Sequence, residues 1–369
     1  MRVLPSRPSP LTVAGAIVGA LAATPLWSAA AAPAPSSISV GVTDASVTPG
    51  QSLLVKGTLL PRTSRPVRLQ RLLGSTWTTA ASASTSPTGG YSIDAPTTLY
   101  VGRTRYRVHA PATSSYAAAT SAEFTASVTG RGLASSHSVN STPDWGPDHW
   151  NPCSPITYRV NRNNAPSTAL LEVRAALLRV SAQTGLSYRY LGSTGVTPRQ
   201  SASGGLTNPA DTDLVIAWPR PGDTPLLPPG PSGVGGYVSR TAQDTSGRRV
   251  MAISDAFVVL DPVDYRALEP GFGPGPRTGY RGTRGQLLMH ELAHTVGLGH
   301  TGATGQVMYP VMQSIPAVWG NGDAAGLTKV GVASRRCVRE AATAFHARTD
   351  DGHGGVEAPP PPRRFYAER

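Results

Sequence analysis

Three of the eight histidines in this chain fall within eleven residues, HELAHTVGLGH, at positions 290, 294 and 300. On an α-helix His290 and His294 would stand about 40° apart around the axis and about 6 Å apart along it, so both imidazoles can face one centre. Glu291 lies at the fringe of the same side. Upstream, TRGQLLMHELAHTVGLG reads as a helix opened by a capping box, with Thr283 as N-cap and Gln286 three residues on. Leu287, Leu288, Met289, Leu292, Ala293 and Val296 occupy nearly its whole circumference, which predicts a buried helix. Burying two histidines and a carboxylate without partners would cost about 1–3 kcal/mol per group, and more for an ionised one. A divalent metal supplies the missing partner. Gly297 tolerates the positive φ that ends a helix abruptly, which lets the chain turn and bring His300 to the same centre. Three neutral imidazoles on zinc leave a fourth position for water, the mark of a catalytic rather than a structural site. Glu291 would stand beside that water as general base. With average residue usage, the five specified positions arise by chance on the order of once in a hundred thousand chains.

The elements that must position these residues follow from periodicity. PITYRVN reads as a strand. In APSTALLEVRAALLRVSAQTG, Leu170, Val173, Leu177 and Val180 share a helical face between Pro166 and Gly185. LSYRYLG, DTDLVIAW and VMAISDAFVVLD suggest further strands, separated by Gly/Pro-rich stretches such as PRPGDTPLLPPGPSGVGG. Loops of that length carry a function or are disordered. Ahead of them, residues 37–128 alternate as short strands in SISVGV, SLLVKG, RPVRLQR and RYRVHA, with turn signals between, which suits a β-sandwich. VRLQRLLGSTWTTA, GGYSI and YRVHA resemble the immunoglobulin-like modules of bacterial secreted proteins. Residues 129–145 read as a solvated linker and 347–369 as a disordered tail. His109, His137, His149, His346 and His353 receive no role.

The formal charge of +12 comes almost wholly from arginine, since the only lysines are Lys56 and Lys329. The arginines are scattered rather than clustered, which argues against a nucleic-acid groove. A basic exterior would suit anionic envelope polymers or acidic substrates, but compositional bias explains it as simply. Residues 1–32 have a basic start, the apolar run LTVAGAIVGALAATPLW and the small-residue stretch SAAAAPAP, the layout of a secretory signal peptide cut within 29–32. The other reading, a retained membrane anchor, is weakened by a short run broken at Pro25. No later segment is apolar enough to span a bilayer. Outside the cytoplasm Cys153 and Cys337 can pair as a disulfide; alternatively Cys153 is a thiolate ligand capping the metal in a latent form.

HELAHTVGLGH followed by QVMYP resembles the metzincin zinc endopeptidases, whose pattern is H-E-x-x-H-x-x-G-x-x-H with a methionine-containing turn downstream. Trp150 ahead of ITYRV, the helix LLEVRAALLRVSAQTG, DTDLVIAW, MYP and the later GDAAGL follow the order of the matrixins over roughly residues 146–335. The resemblance implies an α+β fold: a metzincin catalytic domain over 146–346, a mixed twisted sheet with helices and zinc on the active-site helix, preceded by the immunoglobulin-like sandwich. It implies a secreted, extracellular zinc endopeptidase with Glu291 as base, His290, His294 and His300 as zinc ligands and a protein or peptide as substrate. It places Met308 in the methionine turn and Asp323 as cap of the final helix and brace of that turn. It also implies an edge strand at 235–239, including Gly235, Gly236 and Tyr237, that pairs with extended substrate, and a primed-side pocket lined by Tyr309 and Pro310. Calcium on carboxylates such as Asp211, Asp213 or Asp223 is a further expectation from the family. The sequence departs from the matrixins in three respects. No histidine occurs between His149 and His290, so the family's second, structural zinc is not expected. The cysteine-bearing latency motif is missing, and Thr301 follows the third histidine where most matrixins have another residue. NPCSPI sets Cys153 against the first strand, which favours the disulfide. The alternative function is a cell-surface adhesion or carbohydrate-binding protein whose sandwich or basic surface attaches to the envelope and whose zinc domain is a scaffold.

Overall fold

The computed structural model describes residues 32–43, 45–202, 204–277, 279 and 281–339, together with the backbone of 366–367. The expected leader therefore lies outside the described residues except for Ala32, as does the expected tail except for that two-residue segment. The chain is a mixed α+β structure, rich in sheet. Among the described residues no helix is long and apolar enough to cross a membrane.

The N-terminal part is all β. Strands β1 (Leu54–Leu60), β2 (Pro66–Leu73), β3 (Thr76–Ser84), β4 (Gly90–Asp94), β5 (Gly102–Ala110) and β6 (Phe124–Val128) form two sheets with short companion strands. β4 pairs antiparallel with β1 in one; in the other the order is β6-β5-β2-β3, also antiparallel. Alternation decides which side is apolar: Val55 and Leu59, Val67 and Leu69, Tyr91 and Ile93, and Tyr106 and Val108 point inward to one hydrophobic cluster.

The C-terminal part is built on β7 (Ile156–Asn161), β8 (Tyr188–Ser193), β9 (Leu214–Ala217), β10 (Gly233–Asp244) and β11 (Arg249–Leu260), in the order β8-β7-β9-β11-β10. The first four run parallel to one another, and β10 returns antiparallel to β11. LVIA of β9 is buried at every residue, the unbroken apolar run of a strand covered on both faces. Helix α1 (Ala169–Thr184) buries Val173, Ala176, Leu177 and Val180 and ends at Gly185, whose φ of 79° is left-handed. The short α2 (Pro262–Ala267) is capped by Asp261, which accepts from the amides of Val263 and Asp264. Helices α3 (Arg284–His294) and α4 (Asn321–Val330) complete the body. The long Gly/Pro-rich loop before β10 is anchored rather than loose: Leu226 and Leu227 join Val234, Phe257 and Val259 in a second small core.

Two features differ from the sequence reading. The connector 129–145 is only partly solvated. Gly132, Leu133, Ala134 and Ser135 are exposed, but Arg131 accepts from Asn321 N and Gln306 Nε2 through its carbonyl. Ser138–Val139 pairs antiparallel with Leu298–Gly299, and Asn140 N donates to Gly297 O at 2.9 Å. The outer side of β10 is not bare either. Val338–Arg339 pairs with Gln243 and Asp244, and Tyr366–Ala367 with Val234 and Gly235, which leaves the middle of the strand as the open stretch among the described residues.

The β module also docks on α1. Gln183 bonds reciprocally to the backbone of Val101 at 3.0 and 3.1 Å, and Arg71, buried on the inner face of β2, stacks 3.8 Å over the Tyr100 ring and donates to Ala182 O. A cation at the carbonyl end of a helix is favoured by the macrodipole.

Cys153 and Cys337 form a disulfide across a sequence separation of 184, so Cys153 is not a metal ligand. In the chain-entropy model a loop of that length stabilises by about 5 kcal/mol, an upper figure. Replacing both cysteines by serine is expected to lower the urea midpoint and to raise the m-value, because the unfolded chain loses its cross-link and exposes more surface, with a loss of up to about that amount; an unchanged midpoint would show that the bridge adds nothing.

Candidate metal centre

Helix α3 starts as expected at Thr283, whose hydroxyl accepts from Gln286 N at 3.2 Å. The second half of the expected capping box is not made: Gln286 Oε1 is buried without a hydrogen-bond partner among the described residues. Arg284 fixes this end of the helix instead. Its Nε donates to Tyr265 O at 2.8 Å, and Nη1 lies 3.6 Å from Glu172 Oε1 on α1, while Tyr265 OH donates to Glu172 Oε2 at 2.8 Å. Every residue from Gly285 to His294 is buried, in accord with apolar side chains all round.

Past Thr295 the chain turns at Gly297, whose φ is 102°. A side chain there would also crowd the carbonyl of Asp148, at 2.9 Å from the added carbon. Trp150 Nε1 donates to Thr295 O at 2.8 Å and pins the turn from the other side. The result is convergence. His290 Nε2 lies 2.9 Å from His294 Nε2, His294 Nε2 is 3.2 Å from His300 Nε2, and His300 Nε2 is 3.1 Å from His290 Nε2.

The opposite ring nitrogens show how two of these rings are oriented. His290 Nδ1 is 2.6 Å from Val307 O, and His294 Nδ1 is 2.8 Å from Leu298 O. A carbonyl can only accept, so each Nδ1 carries the proton and each neutral ring turns an Nε2 lone pair toward the others. Burial, with the neighbouring His290 and His300 next, drives the His294 pKa well below its ordinary 6.5, so this ring is held neutral. Ideal tetrahedral ligation at the usual zinc–nitrogen length would set the nitrogens about 3.3 Å apart. The donor set and spacing therefore fit a metal ion, and among the described residues this is the group of three that could hold one.

The methionine turn touches the ligands through backbone. Val307 supplies the carbonyl that orients His290, and Met308 O accepts from the amide of Thr301, next to the third histidine, at 3.0 Å. Asp323 holds the turn: its carboxylate accepts from Val307 N at 2.7 Å, Met308 N at 3.1 Å and Gly320 N at 2.9 Å. Burial pushes the Asp323 pKa up to about 6 against the opposing pull of those amides. Gln306, wholly buried, joins this brace to the connector: its Oε1 accepts from Asp323 N, and its Nε2 donates to Arg131 O. Neither Gln306 nor Arg131 carried a sequence signal, because their partners lie far along the chain.

Other expected residues fare differently. Glu291, next in sequence to His290, is fully buried, with its carboxylate against Gly233 of β10. Gly235 packs directly on the Glu291 backbone. The Tyr237 side chain faces inward, with its hydroxyl bonded to Asp148 Oδ2 at 2.9 Å, so only its backbone lies along the open stretch of β10. Tyr309 and Pro310 are half-buried after Met308. The aspartates expected to serve calcium do not converge: Asp211 pairs with Arg159 at 2.8 Å, Asp213 accepts from Thr157 N and Oγ1, and Asp223 accepts from Arg220 N.

Scanned against family models and compared with curated proteins, the chain matches none.

Two outcomes follow from the burial of this site. A histidine whose folded pKa is depressed contributes stability above its unfolded pKa and loses it as pH falls. The metal-stripped chain should therefore show a Tm that falls as pH drops below 6.5, and His294→Leu should flatten that dependence; equal slopes would remove His294 as the cause. Asp323→Ala should destabilise by about 2–4 kcal/mol in urea unfolding, since three amides lose their acceptor.

Proposed function

We propose that the chain is a zinc-dependent endopeptidase of metzincin type, closest to the matrixins. The single observation that carries this reading is the meeting of three Nε2 lone pairs, two of them tautomer-locked, with a glutamate on the same helix next to the first ligand. A structural zinc site is closed by four protein ligands, whereas this one offers three among the described residues. Zinc held there would supply Lewis acidity toward a peptide carbonyl and its attacking water. Glu291 is the group placed to take the water's proton on a carboxylate oxygen and hand it to the departing amine.

The middle of β10 supports the choice of a peptide substrate. Its open stretch lies between two segments already paired antiparallel with it, so an extended chain laid there would continue the sheet main chain to main chain. Tyr309 and Pro310, on the turn just past Met308, are the residues nearest in sequence to line a side-chain pocket. Secretion is consistent with the Cys153–Cys337 disulfide, which persists in oxidising surroundings. An adhesion protein using the zinc domain as a scaffold has no use for a buried base beside a three-ligand site.

The test is hydrolysis of denatured casein by the full chain, with metal content measured in parallel. Wild type should cleave, 1,10-phenanthroline should abolish cleavage and added zinc restore it. Glu291→Ala should keep its zinc yet lose on the order of 10²–10⁴-fold in rate. Equal hydrolysis by all samples, or a zinc-loaded wild type with no turnover on any peptide, would reject the reading.

A further inference from the structure

Glycine inside a strand weakens it, since it gives up the most conformational freedom and offers no side chain to pack. β10 nonetheless opens with GVGG. Neither Gly233 nor Gly235 has a left-handed φ, so backbone conformation does not call for glycine at either place. The demand comes from α3. A Cβ on Gly235 would overlap the backbone carbonyl of Glu291, which makes this glycine the contact that lets strand and helix approach.

Gly233 meets something else. A Cβ there would stand 2.8 Å from Glu291 Oε1 and 3.2 Å from its Cδ, with Leu260 Cδ2 also at 2.8 Å. Separations of that size are below van der Waals contact, so one of the groups would have to move. Leu260 and Glu291 are both 0% exposed, and neither has open solvent to retreat into. The carboxylate occupies the space that a side chain at 233 would fill.

We infer that Gly233 is a positioning residue for Glu291: its missing side chain is the recess in which the carboxylate is held, and this recess sets where the base stands relative to the three histidines. The packing claim stands on coordinates alone; its kinetic consequence rests on the endopeptidase reading. The two glycines divide the work. Gly235 sets how closely the strand lies on the helix, and Gly233 sets where one side chain of that helix can go.

The experiment is a thermodynamic and kinetic cycle on the full chain: wild type, Gly233→Ala, Glu291→Ala and the double variant. Zinc per chain, Tm, kcat and KM are measured on each. Gly233→Ala should retain zinc at the wild-type stoichiometry and keep KM within about twofold, while kcat falls on the order of 10²-fold, as expected when a reacting group is displaced by about 1 Å. It should also lower the Tm, and that loss should be clearly smaller in the Glu291→Ala background, where the carboxylate is gone and only the Leu260 contact remains. A single variant that fails to fold while the double variant folds would support the recess equally. An equal Tm loss in both backgrounds, failure of both to fold, or wild-type kcat for Gly233→Ala would overturn it. Should wild type show no turnover, the endopeptidase reading falls while the thermal cycle still decides the packing claim.

Discussion

Like dipoles pressed together are the constraint on which this structure turns. The Val307 and Leu298 carbonyls fix the protons of His290 and His294 on the far side of each ring, so lone pairs face one another across 2.9 Å in a site that water does not reach freely. Left alone, such a cluster would spread. It is held because the backbone segments carrying the two carbonyls are themselves held: Val307 by Asp323, Leu298 by the connector strand, and the turn between the second and third ligands by Gly297 and Trp150. The support comes from three stretches distant in sequence, Asp323, the connector strand and Trp150, as expected where binding of an ion would return the free energy.

The same logic places the neighbouring ionisable groups. Asp323 is deeply buried yet meets three amides, and the opposition between burial and hydrogen bonding leaves its pKa near 6 rather than far above it. The Glu172–Tyr265–Arg284 group ties the start of α3 to α1 and α2 with partly compensated charge. The first holds the turn whose Val307 carbonyl orients His290, and the second holds the start of the helix that presents the histidines.

What could be read from the sequence was what is local in the chain. The helix, its Thr283 cap, the turn at Gly297 and the convergence of the three histidines all follow from spacings of eleven residues or fewer, over which helical geometry is nearly deterministic. The strands of both halves were legible from alternation or apolar runs. Hidden were the contacts between distant segments. Nothing in GRGLASSHSVN announces that it will pair beside a ligand loop roughly 160 residues later. The inward facing of the Tyr237 side chain was equally hidden, since its Asp148 partner lies 89 residues away. Gln286 fits the capping-box pattern, yet its side chain does not return to Thr283, since tertiary packing at the helix start decided otherwise.

The pairing of Ser138–Val139 with Leu298–Gly299 bears on how the chain can be divided. A fragment begun at residue 146, where the apparent domain starts, would strip one flank from the short strand that leads into His300 and remove the Arg131 carbonyl from Gln306. The piece would contain all three histidines and still lack the wall against which the third is set. An autonomous unit therefore has to reach back at least to Gly130, whose amide is bonded to Asn321 Oδ1, so the stretch drawn as a tether belongs to the body it was thought to join.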